Sequence, residues 1–138
     1  MSRTTARKTT LAWNNIGVGD EVTPLEIPLT TTLIVAGAIA SRDYMPVHHD
    51  RDFANSQGAP DIFMNILTTN GLCIRFLTDW AGPEAMLKKL PIRLGLPAFP
   101  KDTLRFTGSV TEKSRGDGYG LVEVAFKGAT SIGDHVTG

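Results

Sequence analysis

Apolar and polar residues alternate between Val18 and Leu29, most regularly in Leu25-Glu26-Ile27-Pro28-Leu29, and the flanking Gly19 and Pro28 predict a short strand at a sheet edge. A helical pattern follows. From Thr31, read as its N-cap, the residues Leu33, Ile34, Ala36, Ala38, Ile39 and Ala40 form one apolar stripe, and this helix should stop near Asp43. After a loop over Asn55 to Pro60, a longer helix is predicted from Asp61, as its cap, towards Trp80 and Gly82. Its apolar residues, among them Ile62, Met64, Ile66, Leu67, Cys73, Ile74 and Phe76, cover more than one face, so other structure should wrap it.

The remainder reads as strands. Ile92-Arg93-Leu94-Gly95-Leu96, Thr103 to Val110 and Leu121 to Phe126 are rich in β-formers, Arg115 to Gly120 is a hairpin turn signal, and Ala129 to Val136 holds one more strand. A helix buried under consecutive antiparallel strands is an α+β layout, with the sheet curled around a long central helix. The sequence shows no internal repeat, low-complexity tract or linker.

At 138 residues the chain is read as one domain over 11–138, preceded by a polar, basic and disordered arm over 1–10. Acidic and basic residues balance at 14 each, which argues against binding nucleic acid or a membrane surface through bulk positive charge. The ligand is therefore read by a local site. Cys73 is the single cysteine, so no disulfide framework and no cysteine metal site is possible, which fits a reducing cytoplasm. No apolar run reaches the length of a membrane span.

The densest chemistry lies in Ser41-Arg42-Asp43-Tyr44-Met45-Pro46-Val47-His48-His49-Asp50-Arg51-Asp52. Pro46 bends the chain between Asp43 and His48, so carboxylate and imidazole can face one point and hold water. From spacing alone, a turn-capping Asp43 and a satisfied loop His48 are the commoner readings. The crowd of titratable groups between apolar helices favours acid–base work, with Asp43 made more basic by desolvation. Adjacent His48 and His49 on an extended stretch point to opposite sides, so no metal site is expected. The first turn of the central helix offers free N–H groups for an oxyanion. Asn65, on the same face as Asp61, can reach the site, while Gly71 is read as a close-packing residue. Ser41, Ser56 and Cys73 lack a nucleophile's setting, and the glycines at 116, 118 and 120 precede a strand, so they are no phosphate loop.

From Val18 onward the chain resembles the MaoC-like hot dog family of R-specific enoyl-CoA hydratases. The resemblance rests on Asp43, Met45-Pro46-Val47-His48, Asp50 and Phe53-Ala54. It extends to a branch of small hydratase subunits that act in cholesterol side-chain degradation, through Val47-His48-His49-Asp50-Arg51-Asp52, Asp61 to Leu67 and Thr78-Asp79-Trp80-Ala81-Gly82-Pro83. The resemblance implies a hot dog fold and a catalytic pair, Asp43 and His48, adding water to an α,β-unsaturated acyl-CoA. Asp43 would take a proton from water; His48 would orient the water and help protonate the α-carbon.

The same likeness implies substrate contacts at Asp61, Asn65 and Ile66, no cofactor beyond the coenzyme A of the substrate, and a heterodimer or heterotetramer with a second MaoC-like subunit. The family's Pro-Ile-Val-His-Gly run becomes Ile62-Phe63-Met64-Asn65-Ile66 here, which puts Ile66 where a glycine amide would serve the oxyanion. This departure suits a bulky substrate, a steroid acyl-CoA with a shortened side chain. A general R-specific hydratase, an acyl-CoA thioesterase and a non-catalytic hot dog subunit are the alternatives. Lys88, Lys89, Arg93, Lys101 and Arg105 can meet CoA phosphates, although solvated surface is the commoner role. Relatives continue past Gly-Asp-His-Val-Thr into a last strand, whereas this sequence stops at Gly138, trimmed there or shorter at that edge; Asp134-His135 is read as a turn.

Overall fold

The computed structural model describes residues 6–138. Among these, the elements run β1 (Glu21–Leu29), α1 (Thr31–Ala40), α2 (Arg51–Ser56), α3 (Ile66–Ala81), β2 (Arg93–Leu94), β3 (Asp102–Gly116), β4 (Tyr119–Thr130) and β5 (Gly133–Thr137), with a 3-10 turn at Pro46–His48. All pairings are antiparallel, and the sheet order is β1-β3-β4-β5-β2. This is the hot dog arrangement, with the sheet curled around α3. No helix among the described residues is long and apolar enough to cross a membrane.

β1 lies at a sheet edge as its composition requires. Its buried residues Val22, Leu25, Ile27 and Leu29 alternate with exposed ones except at a register shift between Val22 and Leu25. Pro24 falls within that shift, where an edge strand tolerates a residue with no N–H to donate. The inward residues of β1 meet Leu104 and Phe106 of β3, and Phe76 of α3 stacks on Phe106 with ring centroids 5.5 Å apart.

Along α3, Thr69, Cys73, Phe76 and Trp80 are buried at helical spacing. The opposite face is not wrapped by the described residues: Ile66, Leu67 and Ile74 are 47%, 49% and 40% exposed. Where α1 crosses α3, a Cβ on Gly37 would stand 2.3 Å from Thr68 Oγ1, so the close approach requires glycine there. Gly71 differs from its expectation. A Cβ there would meet nothing within 4 Å, and the residue lines an open apolar groove of about 350 Å³ with Gly37, Ala40, Leu67 and Leu72.

Several boundaries move from their expected places. α1 is capped by Thr30, whose Oγ1 accepts from Leu33 N–H, one residue before the expected cap. The central helix starts at Ile66 and is capped by Asn65, not Asp61. Its expected first turn is held extended, because Phe63 N–H donates to Val47 O and Met64 N–H to Ala98 O. Asp134 and His135 lie in β5, and no turn forms there, because β5 pairs with β2 and, just past it, accepts from Gly95 N–H at His135 O and from Leu96 N–H at Asp134 O. Of the arm expected over 1–10, residues 1–5 lie outside the described residues. Its described part runs along the end of α3, where Arg7 N–H donates to Asp79 O and Thr10 Oγ1 accepts from Glu84 N–H.

Candidate active site

The end of α1 aims Asp43. Arg42 N–H donates to Ile39 O and Asp43 N–H to Ala38 O, a Schellman closure in which Arg42 takes the left-handed conformation, with φ 58°. Asp43 is thereby fixed just beyond the helix end, its N–H closing the last turn. Met45 N–H then donates to Asp43 Oδ1 at 3.2 Å, and the 3-10 turn begun by Pro46 carries His48 back across the bend. Asp43 Oδ2 and His48 Nε2 lie 3.2 Å apart. The proline bend read from the sequence does bring the two groups to one point.

His48 is buried and oriented from behind. Its Nδ1 lies 2.7 Å from Phe63 O, and the Phe63 ring packs edge-on against it at 5.2 Å. A carbonyl oxygen only accepts, so Nδ1 carries a proton and donates it. Nε2 is left as the nitrogen that can exchange a proton beside Asp43.

Asp43 is more open, with its side chain 27% exposed against 9% for His48. Its carboxyl is held below the usual carboxylate range by hydrogen bonds from the Asn65 amide and the Met45 N–H; desolvation opposes this, and the facing His48 adds to it. The expected gain in basicity from flanking helices is thus outweighed by donors.

Asn65 comes to the pair from the start of α3. Its Nδ2 donates to Asp43 Oδ2 at 3.1 Å and to Ser41 Oγ at 2.9 Å, while its Oδ1 accepts from Thr68 N–H at 3.1 Å. Ile66 follows at the first helical position, where its N–H and that of Leu67 have no hydrogen-bond partner among the described residues. Moving the cap and helix start four residues along the chain, from Asp61 to Asn65, puts these donors next to the Asn65–Asp43 contact. Asp61 is placed differently. Its carboxylate accepts from Arg51 Nε at 2.9 Å and from Ile62 N–H at 2.7 Å, tying α2 to the extended segment, and the Arg51 contact holds its carboxyl low.

The remaining candidates stand away from the pair's contacts. His49 and Asp50 are exposed, and Asp50 caps α2 by accepting from Phe53 N–H. Among the described residues, no group of three or more His, Cys, Asp or Glu is placed to hold a metal ion. Cys73 is on the buried face of α3, and burial pushes its thiol up to about 11. Of the basic residues considered for phosphates, Arg105 pairs with Glu26 at 3.2 Å and Lys88 lies 5.7 Å from the Tyr119 ring centroid.

Residues 15–131 match the MaoC like domain, with the Asp43–His48 bend and the start of α3 inside the matched region. The chain belongs to the MaoC-like domain family. It is 47% identical over 120 residues to the beta subunit of 3-oxo-4,17-pregnadiene-20-carboxyl-CoA hydratase of Mycobacterium tuberculosis, covering 87% of this chain and 90% of that one. It is also similar to a chain in the crystal structure of the ChsH1-ChsH2 complex from Mycobacterium tuberculosis, with TM-score 0.83 and 46% identity over 88% of this chain and 92% of that one. The (R)-hydratase from A. caviae involved in PHA biosynthesis superposes with TM-score 0.78 over 89% of this chain and 92% of that one; at 20% identity this likeness shows the fold alone.

Two residues of this MaoC-like domain that touch the site carry no obvious sequence signal. Ser41 contributes through Oγ, which accepts from Asn65 while donating to Gly37 O at 2.7 Å. Phe63 contributes a backbone carbonyl, which any residue possesses. His135 is a third case, deeper in the fold. It is buried, with Nδ1 2.7 Å from Leu96 O and Nε2 2.8 Å from Thr69 Oγ1, and burial lowers its pKa.

Proposed function

We propose that this chain is the catalytic subunit of a cytoplasmic enoyl-CoA hydratase that adds water to an α,β-unsaturated steroid side-chain acyl-CoA. The observation that carries the reading is the 3.2 Å contact between Asp43 Oδ2 and His48 Nε2, with His48 Nδ1 committed to Phe63 O. A water seated against both groups is held by a carboxylate and by a ring nitrogen that can pass a proton. Asp43 takes a proton from that water as its oxygen bonds to the β-carbon. The alkene electrons move towards the thioester oxygen, where the free N–H groups of Ile66 and Leu67 are candidate donors. Collapse of that charge brings the α-carbon a proton, the one taken from water, which passes from Asp43 to His48 Nε2 and on to the α-carbon. Water is consumed, and no redox partner is needed.

The steroid class is supported by the relative's name, a pregnadiene-carboxyl-CoA hydratase subunit, at 47% identity. The partner we propose is a second MaoC-like subunit, in keeping with the complex in which the similar chain is found. Competition between a steroid enoyl-CoA and crotonyl-CoA in one reaction tests the substrate directly. The steroid thioester should be hydrated far faster. Preference for crotonyl-CoA would leave a general hydratase, and release of free thiol from saturated thioesters would point to a thioesterase.

A further inference from the structure

Asn65 is buried, with 2% of its surface exposed, and its hydrogen bonds leave no freedom in how the amide is turned. Thr68 N–H can only donate, and it lies 3.1 Å from Oδ1; the Thr68 hydroxyl adds a second contact there at 2.6 Å. The opposite end therefore must be the NH2 group. One of its protons goes to Asp43 Oδ2 and the other to Ser41 Oγ. Ser41 can accept because its own proton is used on the α1 carbonyls of Gly37 and Ala38, at 2.7 and 3.2 Å. Every donor and acceptor of the amide is satisfied, between the end of α1 and the start of α3.

We infer that Asn65, clamped by Ser41 and Thr68, is a positioning residue that fixes the Asp43 carboxylate for proton transfer, beyond its role as helix cap. The inference rests on the acid–base reading of Asp43 given above. Three features support it. The amide contacts the same Asp43 oxygen that faces His48, so it sets the plane of the carboxylate relative to the imidazole. The Met45 N–H holds the other oxygen, and the two donors together prevent rotation about the Cβ–Cγ bond. The pair's geometry is thus tied to the α1–α3 crossing, where Gly37 lies against Thr68. A polar network this fully satisfied keeps one arrangement, because any rotation leaves a buried group unpaired. Asn65 also favours the ionised Asp43, which keeps the base available at lower pH.

The cap and the positioning role can be separated. Aspartate and serine cap helices about as well as asparagine, but a carboxylate at this position has no N–H to give, and a serine hydroxyl there is too short to reach Asp43. Asn65→Asp, Asn65→Ser and Ser41→Ala should be assayed in the complex with the co-expressed second subunit, with Asp43→Asn in parallel. The expected result is a fall in kcat of roughly ten- to a hundredfold for the Asn65 variants, with KM little changed. The acid limb of the kcat/KM profile should move to higher pH, most in Asn65→Asp, where a like charge faces Asp43. Ser41→Ala keeps the cap and should shift the limb in the same direction by less, which supplies the test if the Asn65 variants do not fold. Wild-type kcat and an unmoved acid limb in the folded variants, with only the melting temperature changed, would overturn the positioning role. Undiminished hydration by Asp43→Asn would instead overturn the acid–base reading beneath it.

Discussion

The 2.7 Å contact between His48 Nδ1 and the Phe63 carbonyl decides which ring nitrogen meets Asp43. The carbonyl lies in the extended segment before α3, held by Val47 and Ala98 through its neighbouring amides. The residues that look like the helix's first turn therefore stay out of the helix, and one of them orients the histidine. Asp43 is set independently by the Schellman closure of α1. The pair is assembled from two rigid supports, and the side chains need little reordering to meet a substrate.

Substitution of the pair follows directly. Asp43→Asn and His48→Ala should each lower hydration by about a hundred- to ten-thousand-fold while circular dichroism shows the fold retained. His49→Ala should lose far less, since His49 is exposed and, among the described residues, has no hydrogen bond or ion pair to Asp43. Near-normal turnover by either folded variant would remove that residue from the mechanism.

The closure that aims Asp43 carries a cost at Arg42, whose φ of 58° is unfavourable for a residue with a Cβ. The left-handed conformation costs roughly 1–2 kcal/mol, of which glycine's extra unfolded-state entropy takes back part. Arg42→Gly should therefore raise stability by about 1 kcal/mol or less, and Arg42→Val should lower it, as read from urea unfolding midpoints. A destabilised Arg42→Gly would show that the arginine side chain contributes more than its backbone strain costs.

Acid should weaken the fold through His135. Its Nδ1 donates to Leu96 O and its Nε2 accepts from Thr69, so the native state holds the ring neutral and burial lowers its pKa from 6.5. The unfolded chain then binds more protons than the native state as pH falls below 6.5. The stabilisation is complete above that value and is lost as pH drops through the lowered native pKa. Unfolding measured from about pH 8 to about pH 5 should show stability falling with pH, with a shallower slope in His135→Gln. Equal slopes in both proteins would place the acid sensitivity elsewhere.

What is legible in the sequence is local. Asp43, Pro46 and His48 are close along the chain, so a proline bend suffices to foresee their meeting, and the β1 alternation states which residues face α3. Asp61 misleads because a carboxylate after Pro60 looks like a cap, yet Arg51, ten residues earlier, takes it. α2 is hidden because its six residues are mostly polar and share the segment with Asp43 and His48. His135 is beyond reach for a different reason: its partners, Thr69 on α3 and Leu96 after β2, lie 66 and 39 residues away in the chain. Asn65 can be named as a site residue from the sequence, but its cap-and-clamp role requires the true start of α3.

The surface around the pair leads to the last prediction, that this chain works in a heteromer. Tyr44 and Met45, between the two catalytic candidates, are 63% and 49% exposed, and Ile66 and Leu67 beside Asn65 are 47% and 49% exposed. Large apolar side chains clustered at a site open to water would leave a reacting thioester poorly shielded, and such patches mark surfaces that bind something else. The outward face of α3 and the groove at Gly71 continue the same apolar surface. A second hot dog subunit laid over these residues would close the site and supply the other wall for a long CoA ester, with a stable interface of about 1,600 Å² in total. Light scattering and activity should be measured on the purified chain alone and again with its co-expressed partner. The complex should be monodisperse and active, and the isolated chain should self-associate or hydrate the steroid thioester poorly. A stable homodimer with full activity would refute the need for a partner while leaving Asp43 and His48 in place as the reacting pair.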